Sequence, residues 1–464
     1  MFLLFHLGSF LIGGDNCVLK SINKLQQMKL IWRKKMKSRK SRFGIPCLMI
    51  TMILWQGISF NTLAQEGEIE SGTVNPKLPK PPRCQLLTAN QLFDGVNFPQ
   101  DNMAVLIEGN KVKRVGSPNQ LRGLCRNRID LGDATILPGF IESHAHISYQ
   151  NIRKDKLLEH GITTVQDTGG PLMKPEGGQG ALRLLSTGPI IQASGGYPLN
   201  VFDPDDGIGG YDKIGIAVSS VDEVEGVVQN LADGGATAIK ISLEPGGEAG
   251  APWMMSHGDH LIPDAPWPML SEEIVQAIVA KAHGLDKPLR VIAHVGEQKG
   301  FDRALAGGVD ELAHMPCAAI SEQSLQDAVN ADVTFVTTID TLSSCSMGLH
   351  GNAFKLGMKG AELVYGAEIG HDNVPWGING EEMRLMLHLT SGDSIDFTDV
   401  INVFKAATSK AGEHLGIPGL GTLKPGAPAD IIAVKGNPFE RFKILEYPDL
   451  VMSGGRTIVN KFKK

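Results

Sequence analysis

Between residues 135 and 370, short apolar runs recur, each followed by turn residues and then a longer amphipathic stretch. The first run is Thr135–Leu137, broken by Pro138 and Gly139 and resumed at Phe140 and Ile141. The next are Ile162–Val165, Pro189–Ala193, Ala238–Ile241, Leu289–Ala293, Glu311–Ala313, Val333–Thr337 and Ala367–Ile369. Runs this short and this apolar suit strands buried on both faces. The stretches between them read as helices. Ser271 precedes Glu272 and Glu273, and Ile274, Val275, Ile278 and Val279 recur at helical spacing until Gly284. His160 and Gly161 close another helix. Strand and helix alternating eight times over about 250 residues predict an α/β protein with a (β/α)8 barrel. An open doubly wound sheet is the alternative. No glycine-rich dinucleotide fingerprint follows the first strand, which counts against it.

The two ends of the chain have a different period. Cys84–Thr88 and Met103–Glu108 are short apolar stretches, and Gly109 and Asn110 turn into Lys111–Val115, which alternates like a hairpin strand. Asp430–Val434 reads as a strand, and Leu450–Met452 and Thr457–Val459 flank Gly454 and Gly455 as a second hairpin. Neither end can bury both faces of a sheet alone. A small β-sandwich made from both ends is therefore predicted, over 84–137 and 416–464, around a barrel over 138–415.

Charge separates the front of the chain from the rest. Ten of the 44 basic residues lie in residues 1–64, against one of the 50 acidic residues, Asp15. The basic residues cluster over 28–42 and precede an apolar run from Ile45 to Phe60 and the small-residue end Asn61–Ala64. That order is an export signal cleaved after Ala64, by the general secretory route, with Met28 or Met36 as the more typical start. The run is short for a spanning helix. The mature chain is thus expected to be periplasmic or secreted, with no membrane anchor. Residues 65–83 are polar and rich in proline and read as a linker. Cys84 and Cys125 both fall in the small domain, and an oxidising compartment makes a bond between them plausible, although four cysteines past Ala64 allow three full pairings. The folded part is strongly acidic, which argues against nucleic acid and anionic membranes as partners.

Candidate chemistry sits where the runs end. Residues two apart on a strand point to one side, so His144 and His146 can present two imidazoles to one metal ion. Lys240 lies in the fourth run, His294 and His314 end the fifth and sixth, and His371 and Asp372 follow the eighth. Ligands gathered at one end of successive strands are what a barrel enzyme requires. Zinc suits such a His and carboxylate set, though manganese, iron or cobalt would also fit.

Leu137–His146, the stretch from His294 through Ala304 to His314, and Gly421–Asp430 together resemble the amidohydrolase superfamily, in its imidazolonepropionase- and prolidase-like branch. The resemblance covers nearly all of residues 84–464. It implies two divalent metal ions, with His144, His146, Lys240, His294, His314 and Asp372 as ligands and Lys240 N-carboxylated to bridge them. A free ammonium cannot bind a cation, so Lys240 must be neutral or carboxylated for this role. Glu244 is a second candidate bridge. Asp372 is implied as the catalytic proton acceptor and donor. The implied reaction is hydrolysis of an amide or similar C–N bond in a small molecule by a metal-activated hydroxide. Peptide-like, N-acyl and cyclic amides all remain open. Departures occur at Gly296, His371 and Tyr197, so the substrate does not carry over. Tyr197, His257 and His371 are candidate substrate contacts, and Leu243–Leu270 reads as a lid or pocket wall. One rival function is a deaminase with a single metal, in which Glu297 would shuttle protons. The other is a non-catalytic binding protein on the same fold. A homo-oligomer is compatible with all of these.

Overall fold

The apolar runs at the two chain ends pair with each other. The computed structural model describes residues 82–202, 213–246, 266–343, 347–371, 373–392 and 394–462. The export signal expected over 1–64, the linker up to Pro81, His257 and Asp372 lie outside the described residues. In chain order the strands are β1 (Cys84–Leu92), β2 (Gln100–Glu108), β3 (Lys111–Gly116), β4 (Arg128–Asp130), β5 (Ala134–Pro138), β6 (Phe140–Ala145), β7 (Ile162–Asp167), β8 (Arg183–Ser186) and β9 (Ile190–Ala193). They continue with β10 (Gly215–Val218), β11 (Ala238–Ser242), β12 (Arg290–His294), β13 (Glu311–Leu312), β14 (Thr334–Val336), β15 (Glu362–Val364), β16 (Ile431–Lys435), β17 (Leu450–Ser453) and β18 (Arg456–Asn460).

The strands of the two chain ends form one eight-stranded sheet in the order β18-β17-β16-β5-β1-β2-β3, with β4 also bonded to β1. β16 runs antiparallel to β5, with Ala433 opposite Ile136, so the last fifty residues complete a sheet begun by the first sixty described. The hairpin turn between β17 and β18 places Gly454 and Gly455 at φ +52° and +71°, which two glycines adopt without a Cβ clash. Leu87, Val105, Ile107, Ile136, Ile431 and Leu450 bury one face, and Leu86, Ala104, Leu106, Leu121 and Cys125 form a smaller cluster. Cys84 and Cys125 are joined by a disulfide. Cys317 is also disulfide-bonded. The strands of both ends belong to this single hydrogen-bonded sheet rather than to two sheets assigned separately.

The middle of the chain is parallel throughout. β6-β7-β8 form one sheet, and β10-β9-β11-β12-β13-β14-β15 form another. Seven of the eight expected runs match strands, the eighth (Ala367–Ile369) lies just past β15, and three strands, β8, β10 and β15, were not foreseen. β8 is separated from β9 by Thr187, Gly188 and Pro189, where a glycine at φ +71° and a residue without an N–H interrupt the ladder. The chain thereby passes from one parallel sheet to the other. β10 is short and mostly half-exposed, so its sequence carries no continuous apolar signal. The helices follow their caps. Ser271 Oγ accepts from Ile274 N at 3.3 Å at the start of helix Glu272–His283. Strand and helix residues, among them Phe140, Val165, Ile241, Val291, Phe335 and Phe404, share one core.

The eighth run emerges from β15 and lies beside β6. His146 N donates to Ile369 O at 2.7 Å and Ser143 N to Tyr365 O at 3.3 Å. Between these two bonds the ladder is replaced by a side chain. The Glu142 carboxyl accepts from Ala367 N at 2.9 and 3.1 Å and from His144 N at 3.1 Å. Burial pushes the Glu142 pKa well above the usual range, against the opposing pull of the Ala367 and His144 N–H groups.

Glu142→Ala leaves two buried N–H groups unpaired and should destabilise the protein by about 2–5 kcal/mol. Glu142→Gln keeps an acceptor oxygen and should lose much less. Denaturant unfolding of both variants beside the wild type checks this, and equal losses would show that the carboxyl oxygen is not the tie.

Candidate functional site

Four histidines converge because the ends of parallel strands converge. His144 is the fifth residue of β6, and His146 lies just past its end. Their rings are 5.1 Å apart and nearly perpendicular. The His144 ring is 4.4 Å from that of His314, which in turn is 5.0 Å from that of His294, the last residue of β12. Two threonines orient this row from neighbouring strand ends. Thr168 Oγ1 lies 3.0 Å from His144 Nε2, and Thr338 Oγ1 lies 3.2 Å from His314 Nδ1. Sequence reasoning missed both, since a threonine after a strand carries no signal of its own.

Lys240, in the middle of β11, is 1% exposed. Burial lowers its pKa to about 7, while Glu311 and Glu368 pull the other way. Burial likewise lowers His294 to about 3 and holds His144 and His314 well below the ordinary histidine value. Burial lowers His146 too, so all four rings are shifted toward the neutral form, the one that binds metal.

The structure adds a residue that was not anticipated. Glu368 lies in the eighth run, 8% exposed, with its backbone at φ +56°. A left-handed glutamate is uncommon and costs energy, as side chains held at functional sites often do. Its Oε1 is 3.7 Å from His146 Nε2 and 3.9 Å from His314 Nε2. Burial acts to raise its pKa, but His314 and His146 outweigh this and hold the carboxyl below its usual range. A signal for Glu368 was present: an acid inside a run otherwise apolar enough for a buried parallel strand.

These groups fit a metal ion. Ligand atoms of His144, His314 and Glu368 lie within 4.8 Å of one another. Atoms sharing one ion at about 2.0–2.2 Å sit roughly 3.5 Å apart, a small contraction from this spacing. Among the described residues, His144 Nδ1, His146 Nδ1, Lys240 Nζ and Glu368 Oε2 are buried without a hydrogen-bond partner. Buried polar atoms in that state call for a ligand. Glu244 Oε2 lies 3.7 Å from His294 Nε2, at the edge of the same cluster.

A pocket opens over the cluster, lined by the four histidines, Lys240 and Glu368 and by Tyr149, Ile190, Tyr197, Pro198, Phe202 and Ile214. The expected contact Tyr197 is thus in place, its ring 4.9 Å from that of His294. His371 is exposed and does not line the pocket. Nor does Glu297, which is buried at the start of helix Gln298–Gly307.

A sequence model of the amidohydrolase family matches residues 135–458. No curated protein matches the chain. Solved structures do. One is an amidohydrolase with a TM-score of 0.65 and 23% identity, covering 81% of this chain and 99% of that one. The ochratoxinase of A. niger has a TM-score of 0.64 and 18% identity, covering 82% of this chain and 96% of that one. A Xaa-Pro dipeptidase with methionine in its active site has a TM-score of 0.62 and 22% identity, covering 81% and 99%.

The Lys240 shift gives a stability test on metal-free protein. Its folded pKa, about 7, lies below the unfolded 10.5, so the unfolded chain binds more protons between these values. Stability from this group therefore rises with pH across that window. Lys240→Met removes the effect and should be more stable than wild type at pH 7, with the gap narrowing by pH 10. Denaturant titrations in carbonate-free buffer measure it, and a constant gap would mean that Lys240 does not titrate there.

Proposed function

The chain belongs to the amidohydrolase family, enzymes that hydrolyse C–N bonds, and on that premise we propose that it cleaves a small-molecule amide at a centre of two divalent metal ions. The observation that carries the metal reading is the set of buried, unpartnered donor atoms on His144, His146, Lys240 and Glu368. We read the parallel strands as a (β/α)8 barrel, supported by the bonds that bring Tyr365–Ile369 against β6. The sheet of the two chain ends is read as the small sandwich domain beside it.

His144, His146, His294 and His314 would hold the ions, and Lys240 would join them as its carbamate. Lys240 is suited to this because burial favours its neutral, nucleophilic amine. Bound zinc would supply a hydroxide-like nucleophile at neutral pH by lowering the pKa of water from 15.7 to about 7, and would polarise the scissile carbonyl. The chain's own part is then to hold the amide in place and to carry one proton to the leaving nitrogen. A strand-end carboxylate does this. Family resemblance names Asp372, and position in the described structure favours Glu368, which lines the pocket. The deaminase reading is weaker, because Glu297 stands outside the pocket and Lys240 inside it.

Three variants test this together. His144→Ala should lose metal and turnover. Glu368→Gln should fold, keep at least one ion and lose about 10²–10⁴-fold in turnover. Asp372→Asn should stay near wild type if Glu368 carries the proton, and the pattern reverses if Asp372 does. Metal content beside turnover on an amide that the wild type cleaves decides it. No loss in any variant would remove the metal reading.

We also propose that the chain is exported and that its mature form begins near Gln65, from the basic-then-apolar order before Ala64. N-terminal sequencing of the exported protein checks this. Recovery of residues 28–60 in the mature form would overturn it.

A further inference from the structure

The pocket has two unlike sides. One is the histidine, lysine and glutamate cluster. The other, from the segments after β6 and around β9 and β10, is apolar and largely aromatic. The Tyr149 ring lies 5.1 Å from that of His146. The Tyr197 ring lies against His294, stacks on Trp267 at 6.0 Å with the planes 8° apart, and meets Phe202 edge-on at 6.1 Å. Tyr149 and Ile214 are buried and pack with Leu199 and Phe202, so the wall has support from behind.

Charge on the wall is as informative as shape. Lys240 is the one lysine or arginine that lines the pocket among the described residues. As a carbamate it would be an anion, and Glu368 is another. Apart from the metal ions, which the scissile carbonyl would engage, a substrate carboxylate would find no lysine or arginine other than Lys240 among the described lining residues. Burying an unpaired carboxylate is costly. An uncharged ring would find aromatic faces placed for offset or edge contact.

We infer that the substrate is a neutral amide with an aromatic or bulky apolar group beside the scissile bond, and not a free dipeptide or an N-acyl amino acid. This rests on the hydrolase reading and narrows it. Tyr197 and Phe202 are the specificity-determining side chains. They act on binding of the flanking group and not on the proton transfer.

The test uses the metal-loaded full-length enzyme, with metal content measured, on compounds sharing one scissile bond. Phenylacetyl-glycinamide should be cleaved with a kcat/KM about tenfold or more above that of phenylacetyl-glycine, and also above that of acetyl-glycinamide. Phenylacetohydroxamate should bind more tightly than acetohydroxamate by a similar factor, measured calorimetrically without turnover. In Tyr197→Ala and Phe202→Ala, with fold confirmed by circular dichroism, both aromatic ratios should fall toward one, through KM more than kcat. Preference for phenylacetyl-glycine, or aromatic ratios unchanged in both variants, overturns the inference while leaving the hydrolase reading intact. Aromatic hydroxamate preference with no amide cleaved supports the pocket reading and sinks the reaction. Absence of any aromatic preference in both binding and cleavage overturns the inference.

Discussion

A buried carboxyl group between the first and last parallel runs is the tie on which the site depends. Glu142 accepts N–H groups from His144 on its own strand and from Ala367 on the eighth run. Backbone bonds at Tyr365 and Ile369 flank it. The two runs that must bring His144, His146 and Glu368 together are therefore held by one side chain where a ladder would otherwise run. Gly366 completes the fit. A Cβ there would come within 2.4 Å of Val336 and 3.3 Å of both the Glu142 carboxyl and His144. The close approach leaves no room for a side chain. It also explains how a left-handed Glu368 is tolerated: the bonds on either side fix the strand, and the strain falls on the residue between them.

Burial then sets the chemistry. Removing four imidazoles and an amine from water shifts all five toward their neutral forms, which are the forms that donate to a cation. The same desolvation acts to raise the Glu368 pKa, yet it stays below its usual range because His314 and the hydrogen bond with His146 act against burial. The opposite wall of the pocket is built from Tyr149, Tyr197 and Phe202 and carries no charge. Under the proposed reading, a metal centre paired with an apolar wall would separate activating the bond from choosing its neighbour.

The sheet of the two chain ends leads directly into this arrangement. β5 runs into β6 with only Gly139 between them, so the sheet shared by both chain ends delivers the first parallel strand directly. A Cβ on Gly139 would meet Thr163 at 2.3 Å, which explains the break in the apolar run at that point. Arg183, in β8, pairs with Asp430 at 3.0 Å just before β16, and ties the two parts of the chain across 247 residues.

What could be read from the sequence was what short range controls. Alternation, apolar runs, caps and glycine turns are local, so the α/β class, seven of the parallel strands and the sheet drawn from both ends were legible. So were His144, His146, Lys240, His294 and His314, because each stands at or near the end of a run whose strand character is itself local. The tertiary structure decided the rest. β10 lacks a continuous apolar pattern and is a strand only because β9 pairs with it. Thr168 and Thr338 matter only because the strand ends carrying them lie next to the histidines. Glu368 joins the cluster through its φ of +56° and the register of the eighth run against β6, neither of which any neighbouring residue type specifies. A pattern of residue types records which side chains can do chemistry. Which of them meet is set by strand register and backbone handedness, and those are fixed by contacts far apart in the chain.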